Sequence, residues 1–232
     1  MNAMVLQARQ VAKSFGVSPV LRAVNLEVRL GECAIIVGRN GSGKSTLIKI
    51  LGGLFSLTAG EVILFGQPAH KLQPQDRRRI GLITHQSFLY SRLTARENLE
   101  FYAQLYGLSS RTSTVLKLLS QVGLESVADE CVSTFSRGME QRLTLARAII
   151  AAPDLLLMDE PFTALDAEGV EMATRLIGEA SDRACGIVIT AHEYAQFRRL
   201  TSTSYALVSG QLTPAASDSK AQQLLEHSAA AD

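Results

Sequence analysis

The chain has 232 residues, 47% of them hydrophobic and 19% charged, and its 23 Lys and Arg against 22 Asp and Glu leave a net charge of +1. This near-average composition excludes a disordered, collagen-like or coiled-coil chain, and the length leaves room for a substantial core. Balanced charge supplies no general field for DNA, RNA or an anionic membrane, so no nucleic-acid partner is expected. A mean hydropathy of +0.13 is high for a freely soluble chain and agrees with a surface covered by a partner.

Met1 to Gln10 lacks a basic stretch followed by an apolar run, so no secretory signal is expected. No apolar stretch approaches the roughly 18 residues needed to cross a bilayer. Residues 4–30 read as an antiparallel strand region, with a turn at Gly16–Pro19 and Val24, Leu26, Val28 and Leu30 at period two. Cys33 to Val37 (CAIIV) is a continuous apolar run, the pattern of a strand buried on both faces. A glycine-rich loop and a helix from Lys44 to about Leu51 come next. Residues 61–66 and 80–84 read as further strands.

Beyond them, Leu99, Tyr102, Ala103 and Tyr106 fall at helical spacing, and Val115 to Val122 repeats the pattern. Residues 87–135 therefore read as a helical insert. Strand signals return at Leu155–Met158 and Ile187–Thr190 with helices between, the alternation of an α/β protein with a largely parallel sheet. One domain over 1–212 is expected, with 213–232 as a short, loosely packed Ala- and Ser-rich tail. Cys33, Cys131 and Cys185 form no CxxC or Cys/His cluster and read as reduced, buried small hydrophobes.

Gly38-Arg39-Asn40-Gly41-Ser42-Gly43-Lys44-Ser45 is a complete GxxxxGK[ST] run between a buried strand and a helix. Its glycines let backbone N–H groups wrap a phosphate at a helix N-terminus, where the dipole also favours anions. With Gly at about 7% of residues, the fixed positions arise by chance on the order of once per hundred chains of this length. Lys44 is expected to reach the β- and γ-phosphates and the Ser45 hydroxyl to ligate Mg²⁺. Thr46 completes the phosphate-binding set. A second half appears at Leu155-Leu-Leu-Met-Asp159-Glu160, an apolar strand ending in two acids. Asp159 suits a Mg²⁺ ligand, and Glu160 is placed to orient or deprotonate an attacking water. ATP and Mg²⁺ are the expected cofactors.

Between these halves lies Phe135-Ser136-Arg137-Gly138-Met139-Glu140-Gln141-Arg142. With the phosphate loop, Gln86, Asp159-Glu160, Ala164-Leu165-Asp166 and His192, this run resembles the ATP-binding subunit of an ABC transporter over residues 4–212. The resemblance implies a P-loop NTPase core with a mostly parallel sheet, an antiparallel β subdomain and a helical subdomain. It implies further that Phe15 stacks on adenine, that Gln86 contacts Mg²⁺ and the attacking water, and that His192 lies near the γ-phosphate. Ser136 and Gly138 match the signature that caps the γ-phosphate of a second subunit, and Asp166 matches the loop that crosses the dimer interface. Arg137 and Met139 depart from the usual LSGGQ, which bears on the hydrolysis rate.

The same resemblance implies ATP as a glue between two copies, with closure on binding and opening after hydrolysis. The moving dimer would act on a transmembrane permease from the cytoplasmic face of the cell membrane. Ile80 to Tyr90 and Leu93 to Leu108 look like the haem-exporter ATP-binding subunit of cytochrome c maturation (CcmA type), so haem export is the narrower expectation. Direct haem binding is not expected, because there is no CxxCH and the four histidines, 70, 85, 192 and 227, are not spaced for it. His85 reads as structural or docking. The alternatives are the ATPase of a drug, lipid or polysaccharide exporter and a soluble ATP-gated clamp.

Overall fold

The period-two alternation in the first thirty residues becomes an antiparallel pair, β1 (Met4–Phe15) and β2 (Ser18–Arg29). β4 (Ala59–Leu64) pairs antiparallel with β1 and carries the two-residue edge strand β5 (Gln67–Pro68), giving the order β2-β1-β4-β5. β4 ends two residues before the expected Gly66, because Phe65 at φ +53° and Gly66 at φ +81° form the turn into β5. The computed structural model describes residues 3–109, 111–192, 197 and 200–215.

The second sheet has the order β10-β9-β3-β8-β7-β6. Its strands are β3 (Cys33–Val37), β6 (Ile80–Ile83), β7 (Leu155–Asp159), β8 (Gly186–Ala191), β9 (Thr203–Val208) and β10 (Gln211–Pro214). All pairings are parallel except the β9–β10 hairpin. That hairpin adds an edge for which the sequence carries no clear strand signal. β10 runs through Pro214 and Ala215 is buried, so the start of the expected tail packs on the sheet. The rest of that tail, 216–232, lies outside the described residues.

Alternate residues of the central strands feed two cores. Cys33, Ile35 and Val37 of β3 face one cluster, while Ala34 and Ile36 face the other. Over the second face lie the antiparallel sheet and α1 (Lys44–Leu51), packed through Leu47, Ile48, Ile50 and Leu51. The first face is covered by α5 (Arg137–Ile149) and α6 (Ala167–Asp182), joined by α3 (Ala95–Leu105) and α4 (Arg111–Gln121). Each fully buried Leu, Ile or Val contributes about 1.5–3 kcal/mol. Doubly covered strands therefore read as unbroken apolar runs and end abruptly in polar residues at the sheet's carboxyl edge, where the site forms.

Local chemistry sets the helix starts. Thr94 and Glu97 close a capping box on α3, Ser136 accepts from Met139 N at 3.2 Å to cap α5, and Asp166 accepts from Gly169 N at 2.8 Å to cap α6. The short α2 (Pro74–Arg77) leads into β6. Among the described residues no helix is long and apolar enough to cross a membrane. Cys33 and Cys185 are buried, and burial pushes both thiols up to about 12, as suits inert small hydrophobes. Cys131 corrects the expectation of three buried cysteines. It is exposed, on an irregular segment bridged to Thr94, with its thiol toward Arg92 O.

Candidate nucleotide site

Residues 38–43 leave the carboxyl end of β3 and enter α1 at Lys44. Gly43, the N-cap of α1, sits at φ +106°, and a Cβ there would lie 2.9 Å from Leu21 Cδ2. A Cβ on Gly38 would meet Ser42 Oγ at 2.5 Å and Leu207 O at 2.8 Å. The loop is thus packed closely against β2, β9 and the Ser42 hydroxyl at positions where only glycine fits, as a phosphate cradle requires. It borders a cleft of about 290 Å³ lined by Arg39, Asn40, Gly41, Gly43, Lys44, Ser45 and Thr46, with Val20, His85 and Glu160 on the other walls.

Lys44 is buried, and its Nζ donates to Gly38 O at 2.7 Å and Arg39 O at 3.2 Å while standing 3.4 Å from Glu160 Oε1. The loop's own carbonyls hold the ammonium where a phosphate oxygen would take them over. Glu160 follows β7 at φ +50°, a costly left-handed conformation for a glutamate. Its N–H donates to Thr190 O and Thr190 Oγ1 at 3.1 and 3.2 Å, which holds that turn in place. His192 Nε2 lies 3.0 Å from Glu160 Oε1, so one carboxylate oxygen faces both the lysine and the histidine.

Asp159, 2% exposed, accepts from Thr190 Oγ1 at 2.6 Å through Oδ1. Its Oδ2 is buried without a hydrogen-bond donor, with His85 Nε2 beyond hydrogen-bond reach at 3.7 Å. A buried carboxylate oxygen without a donor is costly unless a cation joins it. The unpartnered Asp159 Oδ2, with the Ser45 hydroxyl lining the phosphate-loop cleft, is an oxygen donor set that fits Mg²⁺. Bound there, the ion would neutralise charge on the β- and γ-phosphates.

Gln86 lines neither the phosphate-loop cleft nor the one beside it. A second cleft of about 350 Å³, between α5 and the loop after β6, is lined by His85, Ser87, Arg137, Glu140, Asp159 and Glu160 among others, but not by Gln86. Thr84 Oγ1 accepts from Gln86 N at 3.2 Å and donates to Gln86 O at 3.0 Å, and the Gln86 residue is exposed. The loop is pinned from the helices. Arg147 of α5 donates to Leu82 O and Ser87 O at 2.7 and 3.1 Å, Asn98 of α3 brackets Tyr90, and Tyr102 donates to Phe88 O. Burial holds the Arg147 guanidinium pKa below its ordinary value.

Phe15 ends β1 half-exposed and does not line the phosphate cleft. Its ring meets Phe55 edge-on at 5.9 Å and carries Lys13 Nζ at 4.9 Å. Ser136 and Arg137 are exposed, while Gly138 and Met139 are partly covered at the α5 N-terminus. A Cβ on Gly138 would lie 3.1 Å from Ala164 O, and Arg142 Nη2 pairs with Asp166 Oδ1 at 3.0 Å. The signature turn and the Asp166 turn are thus fastened to each other. The Gly169 N–H first, then Arg142, lower the Asp166 pKa below the usual carboxylate range.

Lys44, Asp159, Glu160 and His192 are therefore brought to one place, while Ser136, Gly138 and Asp166 form a separate group. Sequence reasoning missed Thr190, which orients both acids, and Arg142. It also set His85 aside, although His85 lines both clefts. The only signal for Thr190 was a hydroxyl residue interrupting an apolar strand.

Residues 21–163 match the family model described as ABC transporter. The chain is 35% identical over 196 residues to the lantibiotic transport ATP-binding protein SrtF of Streptococcus pyogenes, covering 84% of this chain and 83% of that protein. It is 34% identical over 209 residues to the bacitracin transport ATP-binding protein BcrA of Bacillus licheniformis, covering 90% of this chain and 68% of that one. A Nod factor export ATP-binding protein I from Cupriavidus metallidurans is 37% identical, covering 84% of this chain and 65% of that one. None of these three names speaks of haem. Among solved structures, an ATP-binding subunit of an ABC transporter superposes with a TM-score of 0.87 at 27% identity, covering 98% of both chains. A dimeric ATP-binding cassette in a post-hydrolysis state with ADP and Pi gives 0.81 at 28% identity, covering 89% of this chain and 96% of that one.

Proposed function

The chain belongs to the ABC transporter family, and from that premise we propose that it is the ATP-hydrolysing subunit of an exporter, acting as a dimer on a transmembrane permease. The observation that carries this reading is Glu160 Oε1 held 3.0 Å from His192 and 3.4 Å from Lys44 at the mouth of the phosphate loop. Lys44 would leave the loop carbonyls for the β- and γ-phosphates. Glu160 is then free of its lysine and faces the γ-phosphate side, where it takes a proton from the attacking water. His192 holds the carboxylate in that orientation. Ser45 and Asp159 would hold Mg²⁺, and Phe15 offers an exposed ring to the base.

The signature of a second copy closes the site. Ser136 stands exposed at the start of α5 with Gly138 partly covered beside Ala164, Arg142 of the same helix pairs with Asp166, and the post-hydrolysis neighbour is dimeric. Closure on ATP and opening after phosphate loss is the two-state movement that a permease would follow. Such a permease would hold the chain at the cytoplasmic face of the membrane.

For the cargo, the relatives' names favour an antibiotic peptide of the lantibiotic or bacitracin kind or a Nod factor. They turn the proposal away from haem, which rests on the run from Ile80 to Leu108 and on the resemblance of the signature Ser136-Arg137-Gly138-Met139. The test is recovery of Glu160→Gln from gently solubilised native membranes in ATP, followed by mass spectrometry. An export permease of the lantibiotic, bacitracin or Nod factor kind is expected. Cytochrome c maturation proteins would restore haem, and ribosomal or repair proteins without any membrane protein would overturn the transport reading.

A further inference from the structure

A cavity of about 440 Å³ opens at the far end of α1, between that helix, β4 and the segment before α2. Its floor is apolar, formed by Ile50, Phe55, Leu57 and Val62, and its rim carries His70 and Arg77. The volume falls within the range of small-molecule sites, about 300–1,000 Å³.

The charge on the rim is unbalanced. Among the described residues no carboxylate lies within ion-pair distance of Arg77, and the acid lining the cavity, Glu61, is already paired with Arg9 at 3.2 Å. Nor is Arg77 needed to finish α1, since Gly52 N, Gly53 N, Leu54 N and Phe55 N already donate to the carbonyls of its last turn. Arg77 is exposed, and its Nη1 stands 3.7 Å from where a Cβ on Gly53 would sit. A guanidinium over an apolar floor recognises an apolar body with one anionic head.

We infer that this cavity binds a small apolar carboxylate, its chain on Ile50, Leu57 and Val62 and its head on Arg77. The site is separate from the phosphate loop and uses none of its residues. Phe55 links the two regions, since its ring faces the cavity and also meets Phe15 edge-on at 5.9 Å. An occupant therefore touches a side chain that supports the proposed base platform.

The test uses octanoate as probe and the full chain, read by amide NMR shifts. Saturable shifts are expected at Val62, Ala69 and His70, and saturating ATP leaves them in place. Arg77→Gln should weaken octanoate about tenfold, the size of one lost charge-assisted hydrogen bond, while leaving the neutral probe 1-octanol unaffected. Ser56→Trp, an exposed position on the rim, should block both probes without disturbing the core. Absence of saturable shifts, full affinity in Arg77→Gln or Ser56→Trp, or displacement by ATP would each overturn the assignment.

Discussion

The phosphate-loop end and the signature end of the molecule are built in opposite ways. At the first, polar groups answer one another inside the chain: Lys44 on the loop carbonyls, Thr190 on Asp159, His192 on Glu160. At the second, Ser136 and Asp166 use their side chains to cap α5 and α6, and Arg137 is exposed. Among the described residues near the loop, only Asp159 Oδ2 and Ser42 Oγ remain buried and unpartnered, the first at the proposed cation position and the second against Gly38. On the proposed reading the first end would hold nucleotide with its own groups and the second would need an opposing surface, while Ser136 and Asp166 also serve stability as helix caps.

The sharpest way to separate the two ends is Glu160→Gln. Hydrolysis should fall about 10²–10⁴-fold through loss of the base, with ATP affinity retained, as read by phosphate release and fluorescent-nucleotide binding. Next comes Ser136, whose removal should cost hydrolysis about 10²-fold through a lost phosphate contact without changing nucleotide affinity of the monomer. Because Ser136 is also a cap, Ser136→Ala should lose about 1 kcal/mol of stability whereas Ser136→Asn keeps it. Equal hydrolysis in Ser136→Asn and the parent chain would reduce this end to a capping role.

At the loop, Lys44→Ala should weaken ATP binding about 10–100-fold, the range of one charge-assisted contact. Unchanged binding would undo the assignment of the loop. Thr190→Val should lower hydrolysis about tenfold by releasing Asp159 Oδ1, seen as a higher Mg²⁺ requirement. The smallest effect concerns Asp166, whose folded pKa is depressed. Its contribution is complete above the unfolded value of about 4 and is lost as pH falls through the lower folded value. Asp166→Asn, which still caps α6, should remove that acid-side loss in a melting series.

What was legible in the sequence was whatever is local. CAIIV became β3, the helix from Lys44 to Leu51 matched residue for residue, and of the two acids Asp159 ends β7 while Glu160 follows it. β9 and β10 escaped because Thr203–Val208 opens with Thr, Ser and Tyr, and its apolar residues do not alternate. Thr190, Arg142 and His85 escaped for another reason. Their roles depend on partners 31, 24 and about 74 positions away, which no spacing rule reports. Gln86 shows the converse: its position in the motif was plain, yet the loop geometry turns His85 and Ser87 into the cleft. Cargo is illegible for a similar reason, since the run from Ile80 to Leu108 shapes a loop and helix and holds no cargo chemistry.

The most direct test of the divided site is gel filtration of Glu160→Gln with ATP and Mg²⁺, beside the same protein carrying Gly138→Asp. A Cβ added at Gly138 would stand only 3.1 Å from Ala164 O, so an aspartate there should spoil the signature face while leaving the phosphate loop intact. Glu160→Gln should elute at twice its 25.1 kDa with ATP trapped, and the double variant as a monomer that still binds ATP. A Glu160→Gln protein that stays monomeric in saturating ATP, or a double variant that still dimerises, would contradict a site completed by a second copy.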